Sequence, residues 1–400
     1  MALRDIGAEF ESWRTCEWDV NAIRQYKAIH CNDDNKDYSH DKTKEQLVDI
    51  LWQAGISSDG KKPMEKKKLI NKNEKWLREV YNNCYATLNL VDISKVTGDS
   101  LQIKEKDKYC YILTYSFPCQ SLSIAGLQNG MKESSGTASS LLWEVKRILS
   151  ECAELPQILL MENVIQIHSK KNFLQFKKWI KFLESIGYSN FWQDMNAKNY
   201  GIPQSRNRTF MISILDPTRQ VIFDFPKSIK LNKEFIDFLV NENLIENKYY
   251  INSSKTNEII QQLFLKDSST LKKERTTIDL SLVNPEEITI ANCITAHLAK
   301  DGGNWIERRK SKNNGVVVLL NNNTKNVYNI KYKIRKITPQ EAFRLMGCSD
   351  EDFKKAENVA SNTGLYRTAG NGIAKSCLEA IFCQMNIKNV PTWEEYSKKY

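Results

Sequence analysis

The sequence predicts an α/β protein built on an open sheet, and three observations predict it. The run Tyr109-Cys-Tyr-Ile-Leu-Thr-Tyr-Ser116 is aromatic and β-branched, and a Phe117-Pro-Cys-Gln turn follows it at once. A second apolar run, Leu159-Leu160-Met161, ends on Glu162-Asn163, and a third, Thr209 to Ile214, begins just after Arg206-Asn-Arg208. Around these strands lie stretches of helical spacing, such as Trp76, Leu77, Val80, Tyr81, Cys84 and Tyr85. Ligands of open α/β sheets bind at strand ends, so Cys119, Glu162, Arg206 and Arg208 are the candidate site residues.

Each element follows from its residues in chain order. Met1 to Ile6 reads as the end of a helix stopped by Gly7, and Phe10 to Thr15 as a strand leading to Cys16-Glu17-Trp18-Asp19. The stretch from Asn32 to Leu88 is charged, with lysines concentrated between Lys61 and Lys75, and its apolar positions from Trp76 to Tyr85 predict a helix packed on the body. Those lysines read either as a solvated face or as extra phosphate contacts. Asn89-Leu-Val-Asp92-Ile93 follows. Ser121 to Ser140 is a loop of small residues with Gly126, Gly130 and Gly136, in which Gln128 is a candidate to enter a vacated space. Ser139 to Glu144 opens the next helix. From Asp216 to about Leu365, Asn/Lys-rich pieces such as Asn321-Asn322-Asn323 interrupt weak strands, and Gly370-Asn371-Gly372 reads as a glycine-rich turn before a helix from Ala374 to Met385.

Composition bounds the class. A chain of 400 residues has ample size for a large core and for two domains. Its formal charge of +10, from 58 Lys and Arg against 48 Asp and Glu, suits a polyanionic partner. The 10 cysteines form no Cys-x-x-Cys pair and have no histidine at zinc spacing, which argues against a structural metal and a secreted disulfide framework. With no apolar leader and no membrane-length apolar run, a reduced cytoplasmic setting is expected.

Cys119, Glu162-Asn163 and Arg206-x-Arg208, in that order and each adjoining a strand, resemble the signature of the DNA cytosine-5 methyltransferases of bacteria and phages. The likeness continues through Arg335-Lys-Ile-Thr-Pro-Gln-Glu-Ala-Phe-Arg-Leu-Met-Gly347, similar to that family's penultimate motif, and Gly370-Asn371-Gly372-Ile373, similar to its last. The resemblance implies a Rossmann-like doubly wound sheet with a smaller target-recognition domain. Residues 1–215 would be catalytic, 216–365 would read the target, and 366–400 would return to the catalytic part. Cys293-Ile294-Thr295-Ala296 resembles a short element that closes the recognition region, and an ordinary strand is the alternative.

The resemblance implies S-adenosyl-L-methionine as methyl donor, held by Glu17 on the ribose, Trp18 on adenine, Asp92 and Ile93 around adenine, Leu142 at the amino-acid end, and Asn371. It implies double-stranded DNA as substrate, with Cys119 adding to carbon 6 of a flipped cytosine, Glu162 at N3, and Arg208 with Arg206 near O2 and the thiolate. No metal is called for, and a cognate restriction endonuclease is a possible partner. One departure stands out. No counterpart of the family's Phe-x-Gly-x-Gly first motif is present, so the chain is expected to begin inside that unit, with a start codon upstream, a complementing fragment or a damaged gene as explanations and the first preferred. The alternatives in function are a DNA-binding remnant without catalysis and a tRNA cytosine-5 methyltransferase.

Overall fold

A computed structural model describes residues 1–117, 141–251, 275–279, 288–296, 298, 314–319 and 332–400. Cys119 and Gln128 therefore lie outside the described residues. The chain divides into two compact units, one of residues 9–195 with 207–226, here the sheet unit, and a second of residues 1–8, 196–206 and 227–400.

The sheet unit is α/β and Rossmann-like. Its strands β1 (Ile112–Tyr115), β2 (Ile158–Val164), β3 (Tyr188–Asn196) and β5 (Asn207–Leu215) lie in the order β1-β2-β5-β3. A short β4 (Gln204–Ser205) precedes β5. β1 runs parallel to β2, which a crossover connection permits, and β2 runs antiparallel to β5. β2 is buried almost throughout because both its faces are covered, so Leu159, Leu160 and Met161 form an unbroken apolar run rather than an alternating one. Its core joins Leu142, Trp143, Val145 and Leu149 to Phe176, Trp179 and Leu183. The first set lies on α6 (Leu142–Glu151) and the second on α7 (Phe173–Ser185). The strand expected from Tyr109 is shorter than its composition suggests, since residues before Ile112 stay outside the ladder.

The stretch before β1 is helical. α2 (Val20–His30), α3 (Lys44–Ala54), α4 (Lys66–Ile70) and α5 (Glu74–Ala86) follow α1 (Ala2–Asp5) and gather Ile23, Leu47, Leu51, Leu69, Leu77 and Val80 into their own core. The Trp76 to Tyr85 pattern is α5, begun by the Asn73 side chain, which accepts from the Trp76 amide. α3 opens with a reciprocal Thr43–Gln46 cap. The strand expected at Phe10–Thr15 is absent: only Thr15 bridges, to Asn89. Its side chains instead hold it from outside, Trp13 donating to the Leu101 carbonyl and Arg14 to Gln102. No helix among the described residues is long and apolar enough to cross a membrane.

In the second unit, β6 (Arg275–Asp279), β8 (Asn314–Leu319) and β9 (Tyr332–Lys336) form an antiparallel sheet, and β7 (Ala291–Asn292) pairs with β4. After them come α8 (Pro339–Arg344), α9 (Asp350–Glu357), α10 (Asn362–Asn371), α11 (Lys375–Cys383) and α12 (Trp393–Tyr396). Gly370 and Asn371 are the last turn of α10, not the turn opening the next helix, because Ser361 caps α10 early enough for it to run through them. The family's penultimate-like segment is fixed by a buried ion-pair group, with the Arg335 guanidinium 2.9 Å from both Glu341 and Glu242. Packing against α11, α1 belongs here: Arg4 grips Asp352 through two bonds, of 2.7 and 3.0 Å, and Asp5 meets Lys375.

Candidate active site

The site starts from strand register. Tyr115 pairs with Met161, so the residues that follow, Ser116 and Glu162, leave adjacent strand ends together. Across the antiparallel pair Glu162 faces Phe210 and Val164 faces Arg208. Period two then puts Arg208 on the same face as Glu162, one diagonal step away. The Ser116 hydroxyl donates to Glu162 Oε2 at 3.0 Å, and Arg208 Nε lies 3.2 Å from Oε1. Glu162 is only 4% exposed, a burial that an ionised carboxylate tolerates when paired. Although Arg208 is close enough for an ion pair, its N–H is not aligned with Oε1, which accepts no hydrogen bond among the described residues. The carboxylate thus keeps a charged neighbour and an acceptor still available to an incoming donor.

Asn163 locks the rim behind it. Its side-chain amide donates to the Phe117 carbonyl at 3.0 Å, and its oxygen accepts from the Val164 amide. The chain is therefore anchored at the last described residue before Pro118 and Cys119. Neither Ser116 nor this use of Asn163 was foreseen from sequence; the signal available was their position as the first polar residues after two apolar runs.

Arg206 does something different from Arg208. Strand alternation does not relate the two arginines, because the strand breaks between them: the Arg206 amide bonds back to the Gln204 carbonyl, and β5 starts only at Asn207. Arg206, 2% exposed, lies in the second unit and donates to the carbonyls of Ile294, Gly370 and Gly372 and to Cys293 Sγ. Gln204 works beside it, giving its amide to the Leu345 carbonyl and taking the Ile294 amide. Gly370 is required at this junction, since a Cβ there would sit 2.1 Å from the Ala296 nitrogen. The Cys293–Ala296 segment is thus not an ordinary strand but a loop on which α10 and Arg206 close.

The residues expected around the donor divide into three groups. Glu17, Trp18, Asp92 and Ile93 come together in the sheet unit. Asn89 ties the two segments, accepting from the Glu17 amide and donating to its carbonyl. Between them sits Cys16, whose sulfur reaches the Val91 carbonyl; crowding around it, then the charges of Glu17 and Asp92, push its thiol up to about 12. Glu17 also accepts the Asp19 amide, Asp92 caps Ser94, and Trp18 and Ile93 pack partly against the two cores. Two carboxylates flanked by an indole and an isoleucine suit an adenosine, whose hydroxyls and amino group need acceptors and whose ring needs apolar faces. Leu142 is fully buried, so its side chain is core. Asn371, exposed at the end of α10, belongs to the other unit.

Comparison with known proteins gives this arrangement a family. The profile of the C-5 cytosine-specific DNA methylases matches residues 55–386. The chain is 32% identical over 376 residues to the type II methyltransferase M2.ScrFI of Lactococcus lactis subsp. cremoris, covering 92% of this chain and 90% of that one. It is 32% identical over 391 residues to the orphan methyltransferase M.SssI of Spiroplasma monobiae, covering 93% and 90%. A solved structure of Spodoptera frugiperda DNMT2, a triple mutant, shares the fold with a TM-score of 0.53 at 12% identity, over 95% of this chain and 94% of that one. With a matching profile over most of its length and relatives at this identity across nine-tenths of it, the chain belongs to the C-5 cytosine-specific DNA methylase family and is a DNA cytosine-5 methyltransferase.

Proposed function

We propose that the protein transfers a methyl group from S-adenosyl-L-methionine to carbon 5 of a cytosine flipped out of duplex DNA, through a covalent bond between Cys119 and carbon 6. The observation that carries this reading is the Ser116–Glu162–Arg208 group at the ends of β1 and β2, immediately before the segment bearing Cys119. Carbon 5 of cytosine is a poor nucleophile until the ring is activated by addition at carbon 6. As the Cys119 sulfur bonds to carbon 6, the ring's electron pair moves toward carbon 5 and N3. Glu162, sharing a proton with N3 through its unoccupied acceptor oxygen, stabilises that charge while Ser116 holds the other oxygen. Arg208 keeps positive charge beside the carboxylate and the cytosine O2. The donor, when bound, supplies an electrophilic methyl on a sulfonium; Glu17 and Asp92 would hold its polar groups and Trp18 and Ile93 its adenine faces. Carbon 5 takes the methyl with the ring's electron pair, releasing a neutral thioether, and loss of the carbon 5 proton to water then returns the pair that expels the Cys119 thiolate. Because the ring is stacked in a duplex, the base must leave the helix for this geometry. Arg206 and Gln204 act as positioning residues, and Asn371 stands with the loop they close.

The methyl acceptor is DNA, and a companion restriction endonuclease is the natural partner of a type II enzyme of this kind. Duplex DNA with 5-fluorocytosine replacing cytosine blocks loss of the final proton and so should trap the protein covalently. Cys119→Ser should abolish the trap. Covalent trapping by the serine variant would refute the nucleophile, and methylation of tRNA in place of DNA would refute the substrate.

A further inference from the structure

We propose that the lysine-rich segment between α3 and α5 is a second DNA contact, gripping the phosphodiester backbone of the duplex outside the target site. The proposal rests on the reading of the protein as an enzyme of duplex DNA. Residues 57–75 carry Lys61, Lys62, Lys66, Lys67, Lys68, Lys72 and Lys75 against Asp59, Glu65 and Glu74. Most of those acids are already engaged. Asp59 accepts the backbone amides of Lys61 and Lys62, and Glu74 pairs with Arg78 at 2.6 Å. Lys61, Lys62, Lys67 and Lys68 are exposed.

The segment is built rather than slack. Ser57 bridges to Asp19, its amide bonding to the Trp18 carbonyl at 2.7 Å, while its hydroxyl donates to the Lys62 carbonyl and closes the lysine turn. Leu69 and Met64 anchor it from below in the helical core. Aromatic surface accompanies the charge: Trp52 is 46% exposed with the Lys66 ammonium 5.2 Å from its ring, and Lys72 lies 4.8 Å from the Trp76 ring.

Its place in the sheet unit decides the partner. The segment is tied to Trp18 and Asp19, and the end of α3 reaches Asp92, with Lys95 donating to the Gln53 carbonyl. From Ile93 to Gly98 the chain runs along α6, since Arg147 donates to the carbonyls of Ile93 and Val96 and the Gly98 amide bonds Glu151 near the helix end. Asp92 therefore lies toward the beginning of α6, which is the strand-end side because α6 joins the parallel strands β1 and β2. Both the lysine turn and the Ser116–Glu162–Arg208 group thus occupy the strand-end side of one unit. A duplex held for chemistry there presents its flanking phosphates to an ordered set of ammonium groups, whereas a solvated face would not need to be pinned to Trp18.

The test is the salt dependence of binding to a random-sequence duplex of about 40 base pairs, each phosphate contact adding about 0.9 to the log–log slope. The quadruple variant K61Q/K62Q/K67Q/K68Q should flatten the slope by about 2 to 3 and weaken binding at least about 10-fold at low salt. The matching quadruple lysine-to-arginine variant should keep the wild-type slope, which separates charge from folding. A glutamine variant with an unchanged slope overturns the proposal, as does an arginine variant that loses the slope as fully as the glutamine one. Failure of the underlying reading is seen separately, as absence of 5-methylcytosine in long DNA treated with the wild-type protein.

Discussion

In the proposed reaction, Glu162 is the residue on which the chemistry turns. Its two oxygens are differently employed, one taken by Ser116 and one left beside Arg208, and replacing the acid by an amide removes the shared proton without changing the shape. Glu162→Gln should lower the rate of methyl incorporation by about 100- to 10,000-fold, the usual worth of a positioned acid or base. Thermal stability should barely change, and a drop in rate smaller than tenfold would contradict the role. That Glu162 and Arg208 adjoin strands was legible in the sequence, because each stands at the edge of an apolar run. The part played by Arg206 was not, because it is set by carbonyls at Ile294, Gly370 and Gly372, far along the chain. Leu142 likewise stands at a motif-like position yet faces inward, a choice made by the packing of α6 against β2.

At the scale of elements, α10 meets the 293–296 loop with no room between them. Adding one methyl at Gly370 would place a carbon 2.2 Å from the Thr295 carbonyl carbon, against backbone that cannot swing aside. Gly370→Ala should therefore cost about 1–3 kcal/mol or more of overpacking energy, read as a lower denaturation midpoint. It should also weaken catalysis through the displaced Arg206 anchors. In the sequence, glycines at 370 and 372 resembled a turn. What the local pattern could not convey is that a helix may end in glycine when another loop needs to touch it. The opposite case is α5, whose apolar spacing was sufficient because a helix makes its own hydrogen bonds. Phe10 to Thr15 had suitable residues for a strand, but a strand exists only with neighbours, and Thr15 alone finds one.

For the whole molecule, ionisation couples the beginning of the chain to its end. Burial opposes charge on Asp352, but the two bonds from Arg4 outweigh it and hold the carboxyl below its ordinary range. Asp5 is held low in the same sense: burial is opposed by Lys375 and then by Arg4. A depressed folded pKa means the unfolded chain takes up protons first. The stabilisation is thus complete above the ordinary carboxylate value of about 4 and is lost as pH falls through the lower folded value. Asp352→Asn should flatten the acid limb of a stability-against-pH curve while lowering stability at neutral pH. An acid limb identical to wild type would show that the pair contributes nothing. The α/β class and the order of the motifs were readable at this scale, whereas the assignment of residues 1–8 and 196–206 to the second unit was not, because it depends on contacts with residues farther along the chain.

The reach of Gln204 and Arg206 also imposes a schedule on synthesis. Every piece of the sheet unit has been translated once Pro226 emerges, so that unit can settle early. The clamp must wait for residues 293–294, 345 and 370–372, and the segment at 1–8 waits for Asp352 and Lys375. At ordinary ribosomal speeds the 149 residues from 227 to 375 (375 minus 226) take roughly seven to thirty seconds. Through that interval Arg206 stands without its carbonyls, and residues 1–8, made before the sheet unit, find their place after it.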